Sequence, residues 1–395
     1  MNILQVTLGF YPAQAWGGPV KIVHQNSKEL VARGHSVSVY CTNLLDKNNK
    51  IRPATFEQVI DGIRVVYLDT LNIKNWPGTV GPFWLPDLPS YLRREIHQFD
   101  LVHLNGYRSP FLLAVARAAR KAGIPVVTQP HGTLPVIMHS FFLKKLYDRL
   151  LGDQEIKHIG CLIALQESEK QQALAHGIPA HKIEKIPNGI DPQEREKVSE
   201  KGAFRERFGI DPEKPLILFL GRINKKKGTD MLLEAFSRMN LPDARLVIAG
   251  PDDGQLAEVE RLIQQFGLSE KVFLTGLLCG SDVLSAYQDA DLFVLPCRTD
   301  TFPVTIMEAC LMKLPMVITD RCEIADLVKG RVAEVVPFDP QAFAYGMALL
   351  LSEKERYTRY QNNCLAMIND TFSIQAVVDH LESVYRRVMK DQREN

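Results

Sequence analysis

Along this chain, short apolar runs alternate with longer stretches whose apolar residues recur at helical spacing. That alternation predicts parallel α/β sheets. A first series of strands is expected at Ile3–Leu8, Ser36–Cys41, Ile63–Leu68, Leu101–Leu104, Val126–Thr128 and Cys161–Leu165. Between the first two, Pro19 opens a helix that reaches Arg33, and Gly34 serves as its left-handed stop. After Ile186-Pro187-Asn188-Gly189-Ile190-Asp191-Pro192 comes a charged, apolar-poor stretch, 193–207. A second series then predicts strands at Pro215–Leu220, Arg245–Ala249, Lys271–Leu274, Asp291–Leu295 and Met316–Thr319. The expectation is two doubly wound domains, 1–190 and 191–373, with a C-terminal helix at about 374–390 packing back on the first. Ligands of such sheets bind outside the carboxyl ends of the strands, so two of them facing each other place the site in the cleft between.

Composition narrows the function classes. The 395 residues fit two or three domains, and 46% hydrophobic with 24% charged residues is an ordinary globular mix. Lys+Arg 47 against Asp+Glu 46 gives a net charge of +1, so no global field favours nucleic acid or an acidic membrane. Seven scattered cysteines without a C-x-x-C argue against a disulfide framework or structural zinc, and for a reducing compartment. The first residues carry no signal-peptide pattern and no apolar run approaches a bilayer span. A soluble, cytoplasmic protein is expected.

Two loops carry candidate chemistry. Gly221-Arg222-Ile223-Asn224-Lys225-Lys226-Lys227-Gly228 follows a strand with four cations in six residues, and Thr229 or Asp230 can cap the next helix. A cation about 4 Å from a phosphate charge is worth roughly 4 kcal/mol at an effective dielectric of 20, which suits a diphosphate. The second is Asp300-Thr301-Phe302-Pro303-Val304, after the strand at 291–295. Pro303 reads as a first-turn proline, leaving the N–H groups near 302–305 as an anion site. Asp300 precedes that helix and Glu308 lies about five residues into it, as acceptors for sugar and ribose hydroxyls. The alternative for Glu308 is an exposed helical glutamate.

Together, G-R-x-x-x-x-K-G, the acidic pair Asp300 and Glu308, and I-P-N-G-I-D at 186–191 resemble family 4 glycosyltransferases. Gly17-Gly18-Pro19 and Pro130-His131-Gly132 fit the same family, and the match covers nearly the whole chain. The resemblance implies a GT-B fold of two Rossmann-like domains, with the donor in the C-terminal one and the acceptor mostly in the N-terminal one. It implies retaining transfer from a UDP- or GDP-sugar without a metal or other cofactor. By position, Arg222 and Lys227 are expected to hold the diphosphate, and Glu308 the ribose. Asp300 with the backbone of Thr301, Phe302, Pro303 and Val304 is expected on the sugar and β-phosphate. His131 is expected near the transferred sugar, Gly17 and Gly18 beside the diphosphate, and Asn188 among the donor contacts.

Three positions depart from that pattern. Asp300 stands where glutamate is usual, shifting the carboxylate by about 1.5 Å. Lys313 stands where glycine is usual, and Arg321-Cys322-Glu323 replaces the usual Gly-Gly. Asp289-Ala290-Asp291 spells a metal-binding D-x-D but spans a helix end and a strand start, which argues against that role. His103, ending a buried strand, reads as packed, and Asn105-Gly106 after it could line the cleft. Ser140–Leu151 reads as a packed helix or, with three aromatics among its three cations, as a peripheral membrane or acceptor-lipid patch. The acceptor expected is a glycan such as a lipid-linked surface oligosaccharide. The rivals are a nucleotide-sugar epimerase of the same fold and a sugar-nucleotide-binding protein without turnover. A two-domain solute-binding protein shares the cleft architecture but calls for an export signal.

Overall fold

In the computed structural model, which describes residues 1–46, 49–51, 55–72, 83–134, 148, 156–198 and 200–394, the chain forms two compact units. Met1–Gly189 with Ile374–Asn395 make the first, and Ile190–Ser373 the second.

Strands of the first unit are β1 (Asn2–Thr7), β2 (Ser36–Thr42), β3 (Phe56–Ile60), β4 (Ile63–Leu68), β5 (Leu71–Asn72), β6 (Phe83–Trp84), β7 (Leu101–Asn105), β8 (Val126–Gln129), β9 (Cys161–Ala164) and β10 (Ile183–Lys185). Eight of them form one sheet in the order β10-β9-β8-β7-β1-β2-β4-β3, while β5 and β6 pair separately. All neighbours in the large sheet are parallel except β3, which runs antiparallel to β4 at the edge. Alternate residues of β1 feed two cores: Leu4 and Val6 join one with the helices Leu88–Glu95 and Pro110–Lys121. Ile3 joins the other with Gly18–Ala32 and the last helix, Ile374–Glu394. Both faces are covered, so the central strands are mostly apolar, with Gln5 and His103 as buried polar exceptions. The last helix is held by Arg33 Nη1 to Asp379 (2.5 Å), His35 Nε2 to Glu382 (2.8 Å) and Arg387 Nη1 to Glu184 (2.6 Å).

The second unit holds β11 (Leu216–Leu220), β12 (Arg245–Ala249), β13 (Val272–Gly276), β14 (Leu292–Leu295), β15 (Met316–Thr319) and β16 (Ala333–Val336). They form one parallel sheet in the order β13-β12-β11-β14-β15-β16. Its order reverses between the adjacent strands β11 and β14, the point where doubly wound sheets bind ligands. Every strand expected from the apolar runs is present, with ends moved by a residue or two. The strands β3, β5, β6, β10 and β16 were not expected.

The charged stretch 193–207 is not merely a solvated connection. Its helix Ala203–Arg207 buries Phe204 and Arg205. The Arg205 guanidinium donates to the carbonyls of Asp289, Asp211 and Lys214 at 2.9 Å and pairs with Asp291 at 2.8 Å. Asp289 in turn accepts the N–H groups of Gly202, Phe204 and Arg205. Both carboxylates of the D-x-D are therefore spent on anchoring this segment. Of Ser140–Leu151, all but Asp148 lie outside the described residues; Asp148 pairs with Arg108 at 2.8 Å.

Candidate active site

Two loops leave the carboxyl ends of β11 and β14, and Gly228 lets them meet. It lies at φ +72, ψ 28, and a Cβ there would stand 1.9 Å from the Pro296 carbonyl oxygen. Only glycine meets both conditions. The loops are also joined by Arg298, whose N–H donates to Lys226 O (2.7 Å) and whose Nη1 donates to Lys225 O (2.8 Å). The same guanidinium clasps Asp230 at 2.8 and 2.7 Å. This corrects the expected helix cap: Gly228 holds the N-cap position of Thr229–Arg238 without a side-chain bond, and Asp230 is engaged with Arg298.

Within the first loop Asn224 accepts the Lys227 N–H at 3.1 Å and donates to Asp253 at 2.9 Å. Asp253 also receives Arg222 Nη1 at 3.1 Å. Lys227 Nζ lies 2.5 Å from Asp300 Oδ2, so two residues expected to act separately form one ion pair. Burial disfavours the Lys227 ammonium, but the charge and hydrogen bond of Asp300 outweigh it and hold the pKa above the ordinary lysine value. Lys227 is thus a fixed cation, already oriented before any ligand arrives.

The helix Val304–Leu311 starts one residue later than expected, with Pro303 at the N-cap position. Phe302 is buried and meets Phe372 edge-on at 5.9 Å. Thr301 Oγ1 is 3.5 Å from Glu323 Oε1. Glu308 is only 6% exposed and accepts a hydrogen bond from Tyr287 Oη at 3.0 Å, which excludes the exposed-glutamate alternative. The helix is apolar on nearly every side, so its one acid is buried with it. Asp300 is also tied to the altered loop: its carbonyl accepts the Glu323 N–H at 2.9 Å, and it pairs with Cys322 in an isolated bridge. Lys313 adopts φ +56, a left-handed conformation that favours glycine.

The remaining candidates belong to the first unit. Gly17, at φ +82, precedes the helix that Gly18 opens, with no atom within 4 Å of where a Cβ would be. His131 follows β8 at φ +52, with Nε2 at 3.1 Å from Asn105 Oδ1. Burial pushes its pKa down to about 4, leaving a neutral imidazole at pH 7. Next to it, the Gly132 N–H donates to buried Glu169 at 2.7 Å, and the same carboxylate takes the Leu165 N–H at 2.8 Å. Asn188 is 3% exposed with its Oδ1 unpartnered.

Comparison with known sequences decides the family. The profile of the Glycosyltransferase Family 4 domain matches residues 16–194, and that of Glycosyl transferases group 1 matches residues 200–366. This chain is a family 4 glycosyltransferase. The enzyme is 26% identical to O-antigen chain mannosyltransferase C of Escherichia coli, over 99% of each chain. It is 26% identical to alpha-D-kanosaminyltransferase of Streptomyces kanamyceticus, over 75% of this chain and 79% of the other. Its fold is GT-B, shared with Anabaena HepE, solved in complex with UDP and glucose; the TM-score is 0.78 at 18% identity, over 98% and 100% of the two chains.

In this glycosyltransferase the structure assigns work to residues that the sequence motifs left silent. Asn224, Asp253, Arg298 and Tyr287 hold Arg222, Lys227 and Glu308 in place. Asn224 and Arg298 sit inside or beside the motif loops and carried a positional signal. Asp253 and Tyr287 did not, because their partners are set by strand order. Seven free cysteines are present, six of them buried. No helix among the described residues is long and apolar enough to cross a membrane.

Proposed function

We propose that this enzyme transfers a hexose, with retention, from a UDP- or GDP-sugar to a glycan acceptor in surface polysaccharide assembly, on the cytoplasmic side and without a metal. The carrying observation is the Lys227–Asp300 pair in two loops locked together at the sheet's switch point. The relatives' names support the substrate class: one acts on O-antigen chains and one binds UDP and glucose.

In this reading Arg222 and Lys227 take the diphosphate, Glu308 the ribose hydroxyls, and Asp300 with the backbone of 301–304 the sugar and β-phosphate. Gly17, Gly18 and Asn188 complete the donor contacts, and His131 serves the transferred sugar. As the bond from the anomeric carbon to phosphate oxygen breaks, charge builds on the leaving diphosphate and the fixed cations stabilise it. The acceptor hydroxyl bonds to the same face of that carbon, and its proton passes to the leaving phosphate. Asp300 is already committed to Lys227, which argues against its use as a nucleophile; a trapped glycosyl-enzyme adduct overturns this route. The test is ligand-observed NMR with UDP-, GDP-, ADP- and dTDP-sugars, without acceptor or metal. One donor is expected to bind, and Lys227→Ala to abolish its binding. Binding of none, or binding indifferent to Lys227→Ala, refutes the donor site.

A further inference from the structure

A buried polar chain in the first unit ends on His131. Asn105, at the carboxyl end of β7, places Nδ2 at 2.8 Å from Gln5 Oε1 and 3.4 Å from Val6 O. A backbone carbonyl only accepts, so the amide nitrogen faces Val6 and the amide oxygen faces His131. That oxygen also only accepts. His131 Nε2, 3.1 Å away, therefore carries the hydrogen, and Nδ1 keeps the lone pair.

From Asn105 the chain runs inward. Gln5 Nε2 lies 3.4 Å from Tyr385 Oη, and that hydroxyl lies 2.6 Å from His103 Nδ1. Gln5 and His103 are register partners on β1 and β7, as are Thr7 and Asn105. Tyr385 stands on the last helix, which the chain reaches only after completing the second unit. Gln5, His103 and Asn105 are at most 6% exposed and Tyr385 is fully buried. Burying amides, an imidazole and a phenol among apolar side chains gains little stability over an apolar filling, and His103 Nε2 is left without a partner. Stability alone gives no reason for this arrangement; orientation of His131 does.

We propose that Asn105, Gln5 and Tyr385 are positioning residues that hold His131 as the Nε2–H tautomer, presenting Nδ1 as an acceptor to a hydroxyl of the transferred sugar. The proposal rests on the role given to His131 above. It makes the terminal helix part of the reaction machinery through one hydroxyl group, beyond its contribution to the core.

The test reads ring-nitrogen shifts in protein carrying ¹⁵N-histidine, with the His131 signals assigned by their loss in His131→Ala. The intact enzyme is expected to show the Nε2–H pattern, and Asn105→Leu and Tyr385→Phe a mixture of tautomers. Both variants are expected to lower kcat about tenfold to a hundredfold, the range for partners that fix an imidazole's tautomer, with donor KM within about twofold. If Asn105→Leu does not fold, Tyr385→Phe decides, since it removes one hydroxyl and keeps the ring. Unchanged tautomers in a slowed variant make these residues merely structural and overturn the proposal, as does a tautomer shift without loss of kcat. Full transfer by His131→Ala instead removes the role given to His131, whatever the tautomers do.

Discussion

Replacing Gly228 by alanine tests the geometry that joins the two donor loops. Alanine at φ +72 costs about 1–2 kcal/mol in backbone strain. Its Cβ would also lie 1.9 Å from Pro296 O, where ordinary contact begins near 3.4 Å. The loops must part by roughly 1.5 Å, and overpacking of that kind adds about 1–3 kcal/mol. Gly267 is the control: it has φ +65 but nothing within 4 Å of the place a Cβ would occupy, so Gly267→Ala carries the strain alone. Gly228→Ala should therefore be less stable than Gly267→Ala by about 1–3 kcal/mol, or about 2–12 °C in Tm for a unit of this size. Circular dichroism melts measure the difference. Transfer should fall by about a hundredfold in Gly228→Ala, because a shift of about 1 Å misplaces Lys227 against Asp300. Equal melting of the two variants, or undiminished transfer in Gly228→Ala, refutes the close approach as the organising contact.

Lys227→Ala should lower transfer more than tenfold while the melting curve stays that of a folded protein; activity near wild type removes Lys227 from the diphosphate. Glu308→Gln should raise donor KM more than it lowers kcat and keep the wild-type melting temperature, since the amide oxygen still accepts from Tyr287. Glu308→Ala should in addition lose about 1–3 kcal/mol by leaving that buried hydroxyl unpaired, read by denaturant titration. Burial raises the Glu95 carboxyl, but hydrogen bonds from Arg64, Tyr40 and Arg94 outweigh it and bring its pKa from 4.5 to about 2. Being depressed in the folded state, it stabilises the fold above pH 4.5 and loses that contribution as pH falls toward 2. Arg64→Met should flatten stability over that window in acid titrations, and an unchanged acid limb counts against the pairing.

Much of the fold was legible because its strands are buried on both faces. Runs such as Leu216–Leu220 and Leu292–Leu295 are apolar at every position, and no other setting suits them as well. What escaped was short or half-wet: Phe56–Ile60 is an edge strand with Glu57, Gln58 and Val59 all exposed, and Ile183–Lys185 has three residues. The loops after β11 and β14 were legible for a different reason. Glycine, proline and charge in a fixed order mark backbone geometry and local potential, and both are local properties.

Partnership was not legible. Lys227 and Asp300 are 73 residues apart, and nothing near either one says that they touch. Their pairing follows from β11 lying beside β14, a consequence of how the whole sheet is wound. The same holds for Glu308, buried because Tyr287 waits 21 residues earlier, and for Tyr385, which meets Gln5 across 380 residues. Periodicity, turn chemistry and loop charge act over a few residues, so the amino-acid order alone sets them. Which charge meets which, and which carboxylate is dry, depends on strand order and burial, and only the folded chain decides those.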